Sequence, residues 1–147
     1  MNVWQFLFIK YSSNSIKMKV KKLHGLGNHL IIDAFGCNPD KLDDENFVKN
    51  FLLKLTEKIE MNIIKGPVVV NYDSTEKLES GVTGFVILAE SHISIHTYPE
   101  KNYFSMDIFS CKEFNVEKIK GFLNEKFSIK ETKNFLIKRE FNENESS

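Results

Sequence analysis

Apolar residues recur along this chain at two periods, one helical and one strand-like. Phe47, Val48, Phe51, Leu52, Leu55 and Ile59 follow helical spacing and predict an amphipathic helix with one stripe on a core. Asp43 or Asp44 supplies its N-cap. Val116, Ile119, Phe122 and Leu123 predict a second helix, capped by Asn115. Elsewhere the pattern is that of strands, at 29–36, 68–72, 84–89, 92–97, 103–111 and 135–137. In the stretch 103–111, Phe104, Met106 and Ile108 take one face, and Tyr103, Ser105, Asp107, Phe109 and Cys111 take the other. Asn38-Pro39-Asp40 and Gly66-Pro67 punctuate these elements, and residues 73–81 form a polar loop.

The order is strand, helix, several strands, helix, strand, and most connections are too short for parallel crossovers. That predicts an α+β fold, a two-layer sandwich of an antiparallel sheet with helices on one face. The other face is left bare, and its mixed polar and aromatic side chains in 103–111 point to a second subunit covering it. The chain of 147 residues fits one domain, over 21–141. Residues 1–20 read as an extension, disordered or from an upstream start with Met18 as the alternative, and 142–147 as a polar tail. Twenty basic residues balance twenty acidic ones, which gives no electrostatic case for nucleic acid or an anionic membrane as partner. No apolar run approaches the ~20 residues of a membrane helix. The two cysteines, Cys37 and Cys111, are too few for a disulfide framework, so free thiols and a cytoplasmic location are expected.

Reactive side chains crowd into residues 90–100, ESHISIHTYPE. Three readings of the cluster stand open on the residues alone. His92 and His96 share a strand face and could share a metal, but no nearby carboxylate or cysteine completes a known zinc spacing, so no metal is assigned. A Ser–His hydrolase would need a Gly-x-Ser-x-Gly elbow, which Ser91 lacks. The plain reading is of strand histidines satisfied by hydrogen bonds.

Residues 81–111, GVTGFVILAESHISIHTYPEKNYFSMDIFSC, closely resemble the prokaryotic S-adenosylmethionine decarboxylase proenzyme family. The carriers are the core Glu-Ser-His-Ile-x-Ile-His-Thr-x-Pro-Glu and the cysteine twenty residues after the serine. A weaker likeness runs from Gly27-Asn28-His29-Leu30 through Gly36-Cys37-Asn38-Pro39 to the second helix, so that residues 22–140 are covered. The resemblance implies a pyruvoyl enzyme that cuts itself between Glu90 and Ser91, with Ser91 becoming the pyruvoyl group on the downstream chain. That carbonyl would then condense with the α-amine of S-adenosylmethionine and accept electrons as carbon dioxide leaves, in place of pyridoxal phosphate. The product would feed spermidine synthesis.

The roles implied follow the matching positions. Ser91 is the pyruvoyl precursor, and Glu90 the new upstream C-terminus. His96 moves the proton during elimination, as an imidazole suits. Thr83 assists processing, and Cys111 returns a proton to the decarboxylated carbon. Tyr98 and Glu100 lie near the substrate's adenine and ribose, with Ile93 beside them. Tyr98 departs from the family's usual tryptophan or phenylalanine, although tyrosine also stacks. Family members often bring an aromatic residue from the region of 73–80; here Tyr72 stands at its edge. Cys37 matches no catalytic position and is expected in the core. If 83–91 were one strand, Thr83 and Ser91 would share a face. His96, five residues from Ser91, would then need a bend or bulge after Ser91 to reach it. The family's homodimer stacks two open sheet faces into a four-layer αββα sandwich, with active sites near the interface. Relatives acting on arginine or ornithine share the self-processing core, and a non-catalytic regulatory partner would keep the fold alone. The presence of Ser91, His96 and Cys111 together argues for the enzyme.

Overall fold

The computed structural model describes residues 22–23 and 26–140. Its framework is a single sheet with strands β1 (Lys22–Leu23), β2 (Gly27–Phe35), β3 (Ile63–Tyr72), β4 (Gly81–Leu88), β5 (Ser91–Tyr98), β6 (Tyr103–Ser110) and β7 (Glu131–Arg139). They are ordered β1-β7-β2-β6-β5-β4-β3 across the sheet. All neighbours run antiparallel except the short parallel pairing of β1 with β7. The helices are α1 (Pro39–Leu42), α2 (Glu45–Lys58) and α3 (Val116–Phe127).

Each helix begins where the sequence offers a cap. Asn38 accepts from the Asp40 amide, Asp44 from Phe47 and Asn115 from Lys118, each removing an orphan donor of the first turn. The stripes Val48, Phe51, Leu52, Leu55 and Ile119, Phe122, Leu123, Phe127 are buried against one sheet face. That face contributes Leu30, Ile32, Val82, Val86, Leu88, Ile93, Ile95, Phe104, Met106 and Ile108, and Cys37 joins the same core. Burial pushes the Cys37 thiol up to about 11, so it stays protonated and packs as a small apolar side chain. Thr97 ties β5 to the helical layer, accepting from the Val82 amide and donating to the Leu42 carbonyl, both at 2.7 Å.

The two-layer α+β reading is the observed architecture, and several elements extend beyond their sequence-based limits. The Asn38-Pro39-Asp40 turn continues as α1. β3 begins at Ile63 and runs through Gly66-Pro67 instead of starting after it, with register shifts between Ile63 and Val68 that absorb the interruption. An edge strand tolerates this because one side of its ladder has no partner to lose. The extension before residue 22 and the tail from 141 lie outside the described residues. No helix among the described residues is long and apolar enough to cross a membrane.

The second sheet face carries no helix. Val68, Val70, Phe85, Ile87 and Phe135 stand exposed there, among His29, Asp33, His92, His96, Tyr98, Tyr103 and Asp107.

Candidate active site

Ser91 opens β5 directly after a two-residue turn, Ala89-Glu90, that closes Leu88 against Ser91. Glu90 has φ of 60°, in the left-handed region. Asn or Gly fills such hairpin positions readily, whereas a residue with a Cβ bears a cost on the order of 1–2 kcal/mol. The peptide bond in front of Ser91 therefore follows a strained residue in a tight turn.

Across the sheet Ser91 faces Ser110, and Cys111 is the next residue. The Cys111 thiol is exposed and donates to the Leu26 carbonyl at 3.9 Å. Gly27 permits this approach. Its φ is 115°, and a Cβ there would lie 2.4 Å from the Ser110 carbonyl oxygen and 3.1 Å from the Cys111 Cα. One end of β5 thus sets Ser91 opposite the residue before Cys111, with Ser110 and Cys111 against the Leu26-Gly27 backbone.

The other end holds a different set. Thr83 and His96 are register partners on the open face, and Thr83 Oγ1 lies 3.0 Å from His96 Nδ1. That contact fixes the imidazole plane and leaves Nε2 directed elsewhere. Tyr98 ends the strand, and Glu100 lies in the turn Pro99–Lys101 that leads to β6. A polar cleft of about 350 Å³ opens beside Glu100, lined by Asp43, Asn71, Asp73, Lys77, Ser80 and Pro99.

Two expectations about spacing are corrected. Residues 83–91 do not form one strand, because the chain reverses at 89–90. Thr83 consequently sits on the open face with His96, whereas Ser91 pairs with buried Leu88 on the opposite side. The bend or bulge expected after Ser91 does not occur either: β5 pairs with both neighbours without interruption from Ser91 to Tyr98. At about 3.3 Å per residue, His96 lies roughly 16 Å along the strand from Ser91. Ile93, expected beside the substrate, has its side chain fully buried between Val86 and Ile108 in the core.

The open face between the two ends contains groups that spacing alone did not single out. His29 Nε2 lies 3.0 Å from Asp107 Oδ1. The His92 ring stacks between Phe85 and Phe109, at 5.7 and 5.5 Å. Burial holds the His92 pKa below its ordinary value, helped by repulsion from His29 and Arg139 and opposed by Asp107. The Tyr103 hydroxyl donates to Asp33 Oδ1 at 2.5 Å. Burial and that carboxylate push the Tyr103 pKa up to about 12, against a hydrogen bond from Ser105. One signal of this network is legible in the chain, the polar and aromatic alternation of β6. Its partners are 70 to 78 residues away in the chain. No cluster of three or more metal-ligating side chains occurs among the described residues.

Comparison with known proteins bears on these residues directly. The family model described as S-adenosylmethionine decarboxylase matches residues 28–140. An S-adenosylmethionine decarboxylase proenzyme of Clostridium botulinum (strain Loch Maree / Type A3) is 39% identical over 106 residues, covering 71% of this chain and 85% of that protein. A proenzyme of the same name from Pyrococcus furiosus is 33% identical over 123 residues, covering 83% and 84%. The crystal structure of the adenosylmethionine decarboxylase of Aquifex aeolicus superposes with a TM-score of 0.66 at 25% identity, covering 84% of this chain and 98% of that one. The matched region contains both ends of β5 and the whole sheet around them from residue 28, and on these grounds the chain belongs to the S-adenosylmethionine decarboxylase family.

Proposed function

We propose that this decarboxylase cuts its own chain between Glu90 and Ser91 and works through a pyruvoyl group made from Ser91, acting on S-adenosylmethionine. The observation that carries the reading is the left-handed Glu90 in a two-residue turn, immediately before a partly exposed serine next to Cys111. In the cut, the Ser91 hydroxyl attacks the Glu90 carbonyl carbon, and the amide becomes an ester. Loss of the Ser91 α-proton expels the Glu90 carboxylate and leaves a dehydroalanine. Water then replaces its nitrogen, which departs as ammonia. Holding hydroxyl and carbonyl in adjacent residues of a rigid turn supplies the proximity this needs.

The residues around position 91 fit the resulting group: Ser110 stands opposite it across the ladder, Cys111 follows Ser110, and Glu90 leaves with the upstream chain. The pyruvoyl group supplies a conjugated carbonyl that accepts the electrons freed as carbon dioxide departs. Cys111 holds a proton on its exposed thiol and delivers it to the carbon that has lost its carboxyl. Tyr98 receives the adenine on its ring, and Glu100 accepts hydrogen bonds from the ribose hydroxyls.

His96 and Thr83 cannot serve Ser91 of their own chain at roughly 16 Å. They serve Ser91 of a second copy. The open face favours this, because its exposed Val68, Val70, Phe85, Ile87 and Phe135 want cover. Two such faces stacked in an αββα sandwich, with a two-fold axis between them running across β5, lay the His96 end of each copy over the Glu90–Ser91 backbone of the other, on the face opposite the Ser91 side chain. The homodimer thus has two sites, each built from both chains.

Intact mass under denaturing conditions tests the cut. Two fragments split after Glu90, the downstream one lacking a free amine, are expected; a single uncut chain after long incubation contradicts the proposal. Release of carbon dioxide from S-adenosylmethionine, and not from arginine or ornithine, tests the substrate.

A further inference from the structure

Tyr98 is the last rung of an aromatic ladder. Its ring stacks on Tyr103 at 5.4 Å and 25°, and Tyr103 stacks on Phe35 at 5.0 Å and 30°. The three rings belong to one row of the open face, since Tyr98 pairs with Tyr103 and Tyr103 with Phe35. Stacking alone would let the middle ring slide and tilt, because offset-stacked geometries differ little in energy. Tyr103 is denied that freedom. Its hydroxyl is tied to Asp33 at 2.5 Å, and both of its faces are occupied. Tyr98 therefore has one face set against a fixed ring and one face left for a ligand. Exposed Lys101 lies over Tyr98, its Nζ 5.2 Å from the ring centre, on a side chain long enough to swing into solvent.

We propose that Tyr103, anchored on Asp33, is a positioning residue that sets the plane of Tyr98 for stacking against the purine half of the substrate. This rests on the reading of Tyr98 as the adenine contact. Asp33 and Tyr103 lie behind the Tyr98 ring at the end of β6 away from position 91, so they act on binding of the nucleoside half and not on the bond-breaking steps. Glu100 lies in the turn joining Tyr98 to Tyr103, so the same anchor holds the ribose contact in register with the ring.

The test uses the processed full-length enzyme and two conservative variants, Tyr103→Phe and Asp33→Asn. The first keeps all three rings and removes only the tether. Loss of one positioning hydrogen bond is expected to raise KM for S-adenosylmethionine about three- to tenfold, with kcat within about twofold. The dissociation constant of 5′-methylthioadenosine, which carries the purine but no amino acid, is expected to rise by the same factor. Chain cleavage at Glu90 should remain complete. An unaltered nucleoside affinity in Tyr103→Phe overturns the proposal, as does a fall in kcat with KM unmoved. If Asp33→Asn fails to fold, Tyr103→Phe decides alone. Failure of the wild-type enzyme to bind the nucleoside at all would instead strike the reading of Tyr98 and of the substrate.

Discussion

At one end of β5, Ser91 follows a strained turn and lies beside an exposed thiol; at the other, His96 is tied to Thr83 and followed by Tyr98 and Glu100. On the proposed reading the first end holds the bond to be broken and the atom to be transformed. The second holds the proposed proton carrier and the residues proposed to receive the nucleoside. Neither set completes a reaction alone, and a rigid strand holds them farther apart than any side chain reaches. A strand cannot fold back on itself to join them, but the proposed dimer can, because a two-fold axis running across identical strands brings their opposite ends together. The bare apolar face and the divided site are then consequences of one arrangement.

Substitutions that strike one end and spare the other sharpen this contrast. The largest effect is expected at Cys111. Cys111→Ala should still be cut after Glu90, yet lose about 10²- to 10⁴-fold in kcat for carbon dioxide release, the usual worth of a proton donor. At the opposite end Thr83→Val should reverse that split. Without the hydrogen bond to His96 Nδ1, cleavage slows about tenfold in a time course of intact mass, while enzyme already cut keeps most of its turnover. A smaller effect is expected at the turn. In an uncuttable Ser91→Ala background, Glu90→Gly relieves the left-handed backbone and should raise Tm by about 2–4 °C.

The smallest effect lies between the ends, at His92. Its pKa is held below the ordinary ~6.5, so above that pH the ring is uncharged whether the chain is folded or not. As pH falls through this value the unfolded chain takes up the proton first, and folded stability declines until the lowered pKa is passed. His92→Phe keeps the stack between Phe85 and Phe109 and should flatten the fall in Tm between about pH 7 and pH 5.

The hydrophobic pattern revealed both long helices, their caps and the inward face of β6, because each is a local repeat of apolar side chains against one core. The break between 84–89 and 92–97 was legible as two strands, but not as a tight reversal at 89–90. Ala89-Glu90 lacks the Gly or Asn that marks a tight hairpin, so the parity of Thr83 and Ser91 was reckoned along a strand that turns between them. β3 escaped in part because Gly66-Pro67 reads as a stop, and only its edge position lets the strand continue. The motif named the candidate residues, but their division between two ends was not legible in it, since a motif fixes spacing along the chain and not the side of the sheet. The anchor of Tyr103 on Asp33 and the pairing of His29 with Asp107 join strands distant in sequence, and no local pattern encodes them.

The divided site is tested most directly by mixing two inactive copies of distinguishable mass, one Ser91→Ala and the other His96→Ala. Each alone should remain uncut. Expressed together, the His96→Ala copy should be cleaved after Glu90, because its intact Ser91 meets the intact His96 of its partner, and the Ser91→Ala copy should stay whole. If neither copy is cut in the mixture, or if the His96→Ala copy is cut without a partner, the two ends of β5 do not complete one another across a dimer.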